Sequence, residues 1–230
     1  MAEIIQIDNN TWRLEDGHVR FFLLEGEDKA VLLDSGVSNP DAKELATALT
    51  DKPLILVNTH GDGDHTSGTG AFDKVYMAAE DYINCHMADK YPGTELAELK
   101  DGDIIDLGGR RLEAIKIPGH TKGSVAYLDV EKRQLFAGDT VQSGHIFMFG
   151  PHRAPEAYEL ALEKLISISD RYDYIIASHD TPILPGDYSS KVLESWMEVK
   201  AGSYEAKEVE LHNTLVNSFD AKYCGFYCDK

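Results

Sequence analysis

The segment at residues 58–68, NTHGDGDHTSG, constrains the possible fold of this chain more than any other segment. Four side chains that can bind a metal ion fall within its six central positions: His60, Asp62, Asp64 and His65. Glycines separate the first three of them, and an apolar run at 53–57 precedes the segment. An apolar strand that ends in alternating ligands and glycines predicts a loop at a sheet edge, where every second side chain can turn toward one point. The segment therefore predicts a loop that holds metal ions.

The length of 230 residues suits one domain with a substantial core, and we assign residues 1–230 to a single domain. The first ten residues, MAEIIQIDNN, lack the basic region and the long apolar run of a secretory signal. No stretch approaches the roughly 20 apolar residues of a membrane-spanning helix. We therefore expect a cytoplasmic protein that does not bind a membrane.

The charge of the chain is strongly negative, with 40 acidic residues against 22 lysines and arginines. Such a surface repels phosphate backbones, and no basic cluster is longer than Arg110-Arg111 with its preceding glycine. We therefore expect no nucleic acid partner. Solubility is the simplest reason for the acidity, and bound cations would offset part of it.

The three cysteines, Cys85, Cys224 and Cys228, favour a reducing compartment, because their number is odd and no secretory signal accompanies them. Four residues along a strand span about 13 Å, which is too far for a disulfide between the last two. We therefore expect free thiols. The apolar tail at 219–227 predicts an edge strand, through which two copies could pair as a homodimer.

The order of predicted elements describes two sheets packed face to face with helices outside. Strands are predicted at 4–7, 11–14, 19–24, 30–33, 53–57, 75–78, 104–107, 111–117, 124–130, 134–137 and 174–177. Helices are predicted after Asn39-Pro40 and at 80–90, 155–168 and 189–200. Each half reads as a strand meander followed by a helix, a strand and a loop with a histidine. We expect the loops of both halves to meet at one edge of the sandwich.

Three further potential ligands also follow apolar strands. They are His120 in GHTKGS, Asp139 in GDT and His179 in SHD. Each one alone has an ordinary structural interpretation. Together with the loop at 58–68, however, they make four ligand-bearing segments at strand ends, which indicates a functional site. Asp34, at the end of the strand 30–33, could orient a ligand histidine or could simply form a turn. The apolar segment 146–149 could line a substrate pocket or fill the core, and we interpret His18 as a surface or structural residue.

These segments together resemble the metallo-β-lactamase superfamily. Its signature is His-x-His-x-Asp-His, then Gly-His-Thr-x-Gly-Ser, then Gly-Asp, and finally Ser-His or Gly-His; here the four parts read HGDGDH, GHTKGS, GDT and SHD. The resemblance implies an α+β fold, the four-layer αβ/βα sandwich (metallo-β-lactamase-like). It also implies a two-metal site at the edge between the sheets.

The resemblance assigns a ligand role to each of the seven side chains. It implies that His60, Asp62 and His120 hold the first metal ion. Asp64, His65 and His179 would hold the second, and Asp139 would bridge both. A water or hydroxide between the ions would be the nucleophile, with Asp64 and Asp139 as the catalytic carboxylates. Imidazole and carboxylate ligands suit zinc, iron or manganese, so we predict two divalent metal ions as the cofactor.

Asp62 stands where most of the superfamily has histidine. A carboxylate there adds a negative charge and a hard oxygen, which leads to two hypotheses. Iron or manganese should compete better against zinc, and the bound water should be less acidic, which moves the activity optimum to alkaline pH. A third possibility is that Asp62 is too short to reach, which would leave the first site weak or empty.

The resemblance implies hydrolysis of a small-molecule ester, lactone, thioester or phosphoester, and the fold alone does not choose among them. We place carboxylic esters and lactones slightly ahead. Thioesterases of the glyoxalase II type carry an added helical domain, whereas only about 50 residues follow His179 here. The alternatives are an iron-bearing redox protein related to flavodiiron proteins and a sensor module with a degenerate metal site.

Overall fold

The computed structural model describes residues 2–230 of the chain. These residues contain seventeen strands, arranged in three sheets, and five α-helices. The first sheet holds β1 (Glu3–Asp8), β2 (Thr11–Asp16), β3 (Val19–Glu25), β4 (Ala30–Leu33), β5 (Leu54–Val57), β6 (Lys74–Met77) and β7 (Glu95–Glu98). The second holds β8 (Ile104–Asp106), β9 (Arg111–Lys116), β10 (Val125–Asp129), β11 (Gln134–Phe136), β13 (Tyr174–Ile176) and β14 (Ile183–Pro185). The third holds β12 (His145–Met148), β15 (Lys207–Leu211), β16 (Thr214–Asp220) and β17 (Gly225–Cys228).

The helices are α1 (Ala42–Thr47), α2 (Gly63–Thr66), α3 (Met87–Lys90), α4 (Pro155–Ser167) and α5 (Tyr188–Lys200). Pro155 begins α4 at its first turn, where the missing N–H costs no hydrogen bond. Only α4 and α5, with 13 residues each, exceed two turns among the described residues. Loops and short turns therefore shape most of the surface around the sheet edges.

The strand order of the first sheet follows the chain from β1 to β7. The first four strands pair antiparallel, and β4 to β7 pair parallel. Strands β3 and β4 lie in the middle of the sheet and are buried on both faces, which explains their continuous apolar runs, FFLL and AVLL. The predicted meander is therefore correct, and it continues as a parallel half sheet.

Three apolar clusters define the layers of the sandwich. The cluster between the first two sheets includes Phe22 and Leu24 from β3 with Leu112 and Tyr127 from the second sheet. The alternate β3 residues face outward onto a second cluster that contains α1. The third cluster joins the outer face of the second sheet to α4 and α5. The order helix, sheet, sheet, helix agrees with the predicted four-layer α+β sandwich.

The tail of the chain differs from the prediction of one edge strand at 219–227. The structure has a hairpin, β16 and β17, with Cys224 in the turn, and β15 adds a further strand outside it. β17 pairs in parallel with β12, so the segment 145–148 is a strand. The three cysteines are free thiols, as predicted.

The helix predicted at 80–90 is wrong over most of its length. The segment forms a 3₁₀ turn at Ala79–Asp81, irregular turns, and then only the single turn of α3. His86 adopts a left-handed backbone conformation with φ 53°, which interrupts any helix. The buried side chain of Asp81 bonds to two distant loops, so tertiary contacts override the helical pattern here.

None of the helices in residues 2–230 has the length and hydropathy that a membrane crossing requires.

A buried ion pair ties the two large sheets together at the edge opposite the ligand loops. Asp129, at the end of β10, accepts hydrogen bonds from Arg110 at 2.8 Å (Nε) and 2.6 Å (Nη2). Arg110 also donates from Nη1 to the carbonyl oxygens of Asn10 (2.7 Å) and Glu25 (3.3 Å) in the first sheet. Both partners are almost fully buried.

We expect Arg110→Leu to lower the free energy of unfolding by about 3–5 kcal/mol, because it leaves the carboxylate of Asp129 buried without a counter-charge. The double variant Arg110→Leu/Asp129→Leu should lose much less. Urea unfolding followed by circular dichroism measures both. Arg133→Leu removes an exposed arginine that pairs with Asp173 and serves as the control. An unchanged unfolding midpoint for Arg110→Leu would contradict the role of the pair.

Candidate metal centre

The direction of the strands brings the ligand loops to one edge. Strands β4 and β5 run parallel, and β9, β11 and β13 share one direction, because β10 is antiparallel to both β9 and β11. Each predicted ligand follows the carboxyl end of one of these strands. At this edge the sheets are joined directly, since the Val125 amide donates to the carbonyl of Thr59 (2.8 Å) and the Tyr127 hydroxyl to that of Asn58 (2.9 Å).

The first group of ligand atoms comes from both sheets. His60 follows β5 and His120 follows β9, and their Nε2 atoms lie 3.3 Å apart. Asp62 Oδ2 lies 3.2 Å from Nε2 of His120 and 3.7 Å from Nε2 of His60. The structure therefore brings the three side chains predicted for the first metal ion together, with Asp62 within reach.

The second group contains Asp64, His65 and His179, whose ligand atoms lie within 4.8 Å of one another. Asp64 and His65 are on the short helix α2, and His179 follows β13. Asp139 lies between the groups: its Oδ2 is 3.7 Å from His120 Nε2 and 3.1 Å from His179 Nε2. Its Oδ1 is 3.3 Å from His65 Nε2. All seven predicted residues thus converge, with Asp139 in the bridging position.

Each imidazole is oriented through its outer nitrogen. Nδ1 of His120 contacts the carbonyl of Phe147 (2.9 Å), and Nδ1 of His179 contacts the carbonyl of His18 (2.7 Å). A carbonyl oxygen can only accept, so Nδ1 carries the proton and Nε2 has its lone pair free toward the centre. Neutral imidazoles in this tautomer are the form that binds metal ions.

Asp34 orients two more of the histidines, which decides between the two sequence interpretations of this residue. Its Oδ2 accepts from Nδ1 of His65 (2.9 Å) and from the Thr59 hydroxyl (2.8 Å). The same hydroxyl oxygen lies 2.9 Å from Nδ1 of His60 and can accept its proton. One buried carboxylate therefore fixes one histidine of each group.

Asp81 joins the two main ligand loops, a role that its position in a predicted helix gave no reason to expect. It accepts from the amide of Gly61 (2.7 Å), the hydroxyl of Thr121 (2.7 Å) and the amide of Gly123 (2.8 Å). A Cβ on Gly61 would lie 2.7 Å from the Asp81 carbonyl oxygen, and one on Gly123 would lie 2.7 Å from its carboxyl carbon. The glycines of both motifs are thus needed for this close approach.

The charges of the centre are strongly coupled. Burial would raise the pKa of Asp139, but the neighbouring His179 and His65 lower it well below its usual range. Burial would lower the pKa of His65, but the surrounding carboxylates, Asp139 and Asp64 foremost, raise it well above its usual range. The carboxylate of Asp139 is therefore ionised, and it attracts positive charge to the centre.

The residues present fit a pair of divalent ions. His65 Nε2 and Asp139 Oδ1 are buried and lie 3.3 Å from each other, and neither has a well-aligned hydrogen-bond partner. Unpartnered buried polar atoms are costly unless a ligand satisfies them. Four imidazole nitrogens and three carboxylates are also the donor set that first-row divalent metals prefer.

Three residues at the centre carry no recognisable signal in the sequence. Arg153 and Asn84 both bind the carboxylate of Asp62, although neither lies in a recognised motif. His18, interpreted as a surface or structural residue, stacks on His179 with ring centroids 5.7 Å apart. Its Nε2 lies 3.6 Å from Asp64 Oδ2, while its side chain stays 69% exposed. His18 therefore lies at the mouth of the centre.

The contacts of Asp34 lead to a prediction about metal affinity. Asp34→Asn keeps the shape of the side chain but removes the charge that holds Nδ1–H of His65. We expect metal affinity to fall about 10- to 100-fold, as is typical when such an outer partner is lost. Titration of the metal-free protein with Zn²⁺ against a chromophoric chelator measures the change.

Asp16→Asn is the matched control, because this carboxylate is also buried and bonds to the backbone amides of Val37 and Ser38, with no ligand contact. An unchanged affinity in Asp34→Asn, or an equal loss in Asp16→Asn, would rule out the orienting role.

Comparison with known proteins tests the predicted family. The model of the metallo-beta-lactamase superfamily matches residues 14–179. Among solved structures, a metallo-beta-lactamase from Pontibacter korlensis superposes with a TM-score of 0.71 at 20% identity, covering 86% of this chain and 99% of that one. An archaeal superfamily protein from Sulfolobus tokodaii gives a TM-score of 0.63 at 19% identity, over 89% and 91% of the chains. At these identities the likeness shows the fold, and it confirms the predicted sandwich.

Curated relatives include hydrolases. The human acyl-coenzyme A thioesterase MBLAC2 is 27% identical over 189 residues, which cover 65% of this chain and 68% of that protein. A hydroxyacylglutathione hydrolase from Gloeobacter violaceus is 34% identical over 134 residues, 57% of this chain and 51% of that enzyme. The chain thus spans about half the length of the hydroxyacylglutathione hydrolases that it matches. These relatives confirm the predicted enzyme class, a metal-dependent hydrolase.

The fold, the two groups of ligand atoms and the family match over most of the chain agree, and this chain belongs to the metallo-beta-lactamase superfamily.

Proposed function

We propose that this protein is a two-metal hydrolase of thioesters, and that the acyl group of its substrate lies along an aromatic face beside the centre. The observation that carries the metal-dependent part is the pair of ligand groups that share Asp139. The named activities of the relatives, an acyl-coenzyme A thioesterase and hydroxyacylglutathione hydrolases, favour thioesters among the predicted substrates. They reverse the slight preference for carboxylic esters and lactones.

The residues divide into two sets for holding the cations. His60, Asp62 and His120 would hold one ion, and Asp64, His65 and His179 would hold the other, with Asp139 shared. When bound, the two ions supply Lewis acidity for a carbonyl group and a nucleophilic hydroxide at neutral pH. Zinc, iron and manganese all suit these donors. A cytoplasmic location, a homodimer and the absence of a nucleic acid partner stay predictions.

The protein itself contributes fixed geometry to the reaction. The outer partners of the imidazoles, Asp34 and the carbonyls of Phe147 and His18, hold the Nε2 atoms toward the centre. This arrangement needs no reorganisation when the substrate arrives, which is the main way in which enzymes stabilise developing charge. His18 is placed at the open side, where it would contact the substrate near Asp64.

Strand β12 runs past both ligand groups. The amide of Thr181, two residues after His179, donates to the Ser143 hydroxyl at 3.2 Å, just before the strand begins. Near its other end, the carbonyl of Phe147 accepts from His120. The strand therefore forms one wall of the approach to the centre.

The wall carries what we call the aromatic face, formed by Phe147, Phe149 and Tyr227. The rings of Phe147 and Tyr227 lie 4.9 Å apart, edge to face, and those of Phe147 and Phe149 lie 5.6 Å apart. Their neighbours in the strand, Ile146 and Met148, point the other way into the core. Partly exposed aromatic rings beside polar groups are typical of a ligand site.

A substrate panel tests the proposed function. Protein purified without added metal is analysed for zinc, iron and manganese. It is then assayed with acyl-coenzyme A thioesters, with oxoesters of the same acyl groups, and with lactones. We expect the highest kcat/KM for the thioester, loss of activity on chelation, and recovery when metal is restored. A higher kcat/KM for the oxoester or lactone would overturn the thioester assignment.

Asp139→Asn provides the matching variant, because it keeps the shape of the shared ligand and removes its charge. We expect at least about a hundredfold loss of kcat/KM, since several kcal/mol of stabilisation depend on the paired ions. Asp106→Asn, an exposed carboxylate at the opposite sheet edge, should leave the rate unchanged.

The aromatic face leads to a prediction about acyl chain length. Phe147→Ala removes apolar surface worth about 1.5–3 kcal/mol when fully covered, so we expect kcat/KM for long acyl chains to fall about tenfold or more. The rate with an acetyl thioester should change little. The measurement is kcat/KM against chain length for both proteins.

Leu215→Ala is the control, because Leu215 is an exposed residue of β16 on the opposite face of the same sheet. An equal loss with short and long chains in Phe147→Ala would show that the ring supports the centre and does not contact the acyl group.

A further inference from the structure

The carboxylate of Asp62 is held from outside the centre by two side chains. Arg153 binds it with both terminal nitrogens, Nη1 to Oδ1 at 2.9 Å and Nη2 to Oδ2 at 2.7 Å. Asn84 Nδ2 donates to Oδ1 at 2.8 Å. Such a two-point arginine–carboxylate pair fixes the plane of the carboxylate as well as its position. The side chains of Arg153 and Asp62 are only 14% and 17% exposed, so water competes weakly for these bonds.

The backbone around Arg153 is tied to the loop that carries His120. The carbonyl of His152 accepts from the amide of Lys122 at 3.0 Å, and the amide of Ala154 donates to the carbonyl of Gly119 at 2.8 Å. These bonds lie on both sides of Arg153 in sequence and on both sides of His120 in its loop. The guanidinium group is therefore positioned relative to the first ligand group.

The geometry gives the two oxygens of Asp62 different tasks. Oδ1 accepts from both Arg153 and Asn84, which leaves it little capacity for a metal ion. Oδ2 lies 3.2 and 3.7 Å from Nε2 of His120 and His60, which are themselves 3.3 Å apart. Ligand atoms around a tetrahedral ion with bonds of about 2.1 Å are about 3.4 Å apart. Asp62 thus reaches the first site, through one oxygen.

The charge of the pair is as important as its geometry. An aspartate in place of a histidine adds one negative charge to the ligand set, and Arg153 supplies one positive charge directly behind it. The sequence-based hypotheses considered the charge of Asp62 but not that of Arg153, because nothing in the sequence links the two residues.

We propose that Arg153 and Asp62 act as a single unit of zero net charge that takes the place of a neutral histidine, so that Arg153 is the positioning residue for the first metal site. The inference rests on the two-metal site of the proposed function and does not depend on the substrate. It means that the influence of Arg153 on metal binding depends on which residue occupies position 62.

A double-mutant cycle with Zn²⁺ alone tests this dependence. In the unaltered background, Arg153→Met frees the carboxylate to rotate, and we expect the first site to bind Zn²⁺ about 10- to 100-fold more weakly. In the Asp62→His background the guanidinium is only an uncompensated positive charge beside the ligands. The same Arg153→Met change should there tighten binding, so the sign of its effect reverses.

The readouts are competition with a chromophoric chelator, which resolves the two sites, and the visible spectrum of the Co²⁺ protein. Removal of Arg153 should weaken the d–d bands of the first site and leave the affinity of the second site unchanged. Arg153→Lys keeps the charge but not the two-point contact, and we expect an intermediate affinity. Arg133→Met, which removes an exposed arginine paired with Asp173, is the matched control and should change nothing.

Circular dichroism and thermal unfolding establish that each variant is folded. An effect of Arg153→Met that is equal in size and sign in both backgrounds would overturn the inference. Tight binding of two ions without thioester hydrolysis would instead overturn the substrate assignment and leave the inference standing.

Discussion

Crowded negative charge is the constraint on which the rest of this structure depends. Asp62, Asp64 and Asp139 converge on one small region, and Asp34 lies directly behind it. Two unit charges of the same sign about 4 Å apart repel by about 4 kcal/mol at an effective dielectric constant of 20. Loops would separate under such repulsion unless imidazoles, a guanidinium and bound cations offset it. The surrounding protein is arranged so that it keeps these carboxylates together.

The sandwich meets this requirement through rigid supports outside the ligands. The inter-sheet core fixes the strand ends, and the Asp81 carboxylate joins the loops that carry His60 and His120. Arg20 secures the third loop, because its guanidinium donates to the carbonyl oxygens of Ala177 (3.1 Å) and Asp180 (2.8 Å), on both sides of His179. The loops that carry His60, His120 and His179 are therefore held by buried side chains, Asp81 and Arg20, that lie outside the centre. Positions of catalytic groups are set most accurately when such an outer layer exists.

The sequence predicted the features that depend on local pattern. Strands such as β3 and β4 follow from their apolar runs. The seven candidate ligands follow from motifs at strand ends and from the family resemblance, and the topology brings them to one edge. The predictions were wrong or incomplete where a contact between residues far apart in the sequence determines the local structure. The helix expected at 80–90 is replaced by turns, because Asp81 finds partners in loops about 20 and 40 residues away. His18 carried no signal, because its contact with His179 spans 161 positions and depends on the sheets being packed.

Asp62 shows why the charge of a metal site cannot be counted from its ligands alone. In the proposed unit with Arg153, Asp62 leaves the net charge beside the first site as a neutral histidine would, and it changes only the type of donor atom. The expectation of a less acidic water depended on the added charge, so the pair removes its basis. The expectation that iron or manganese competes better with zinc depended partly on a hard oxygen donor, and Oδ2 still provides one. The proposed pairing therefore predicts a changed metal preference together with an unchanged acidity of the bound water, two properties that the charge of Asp62 alone would have linked.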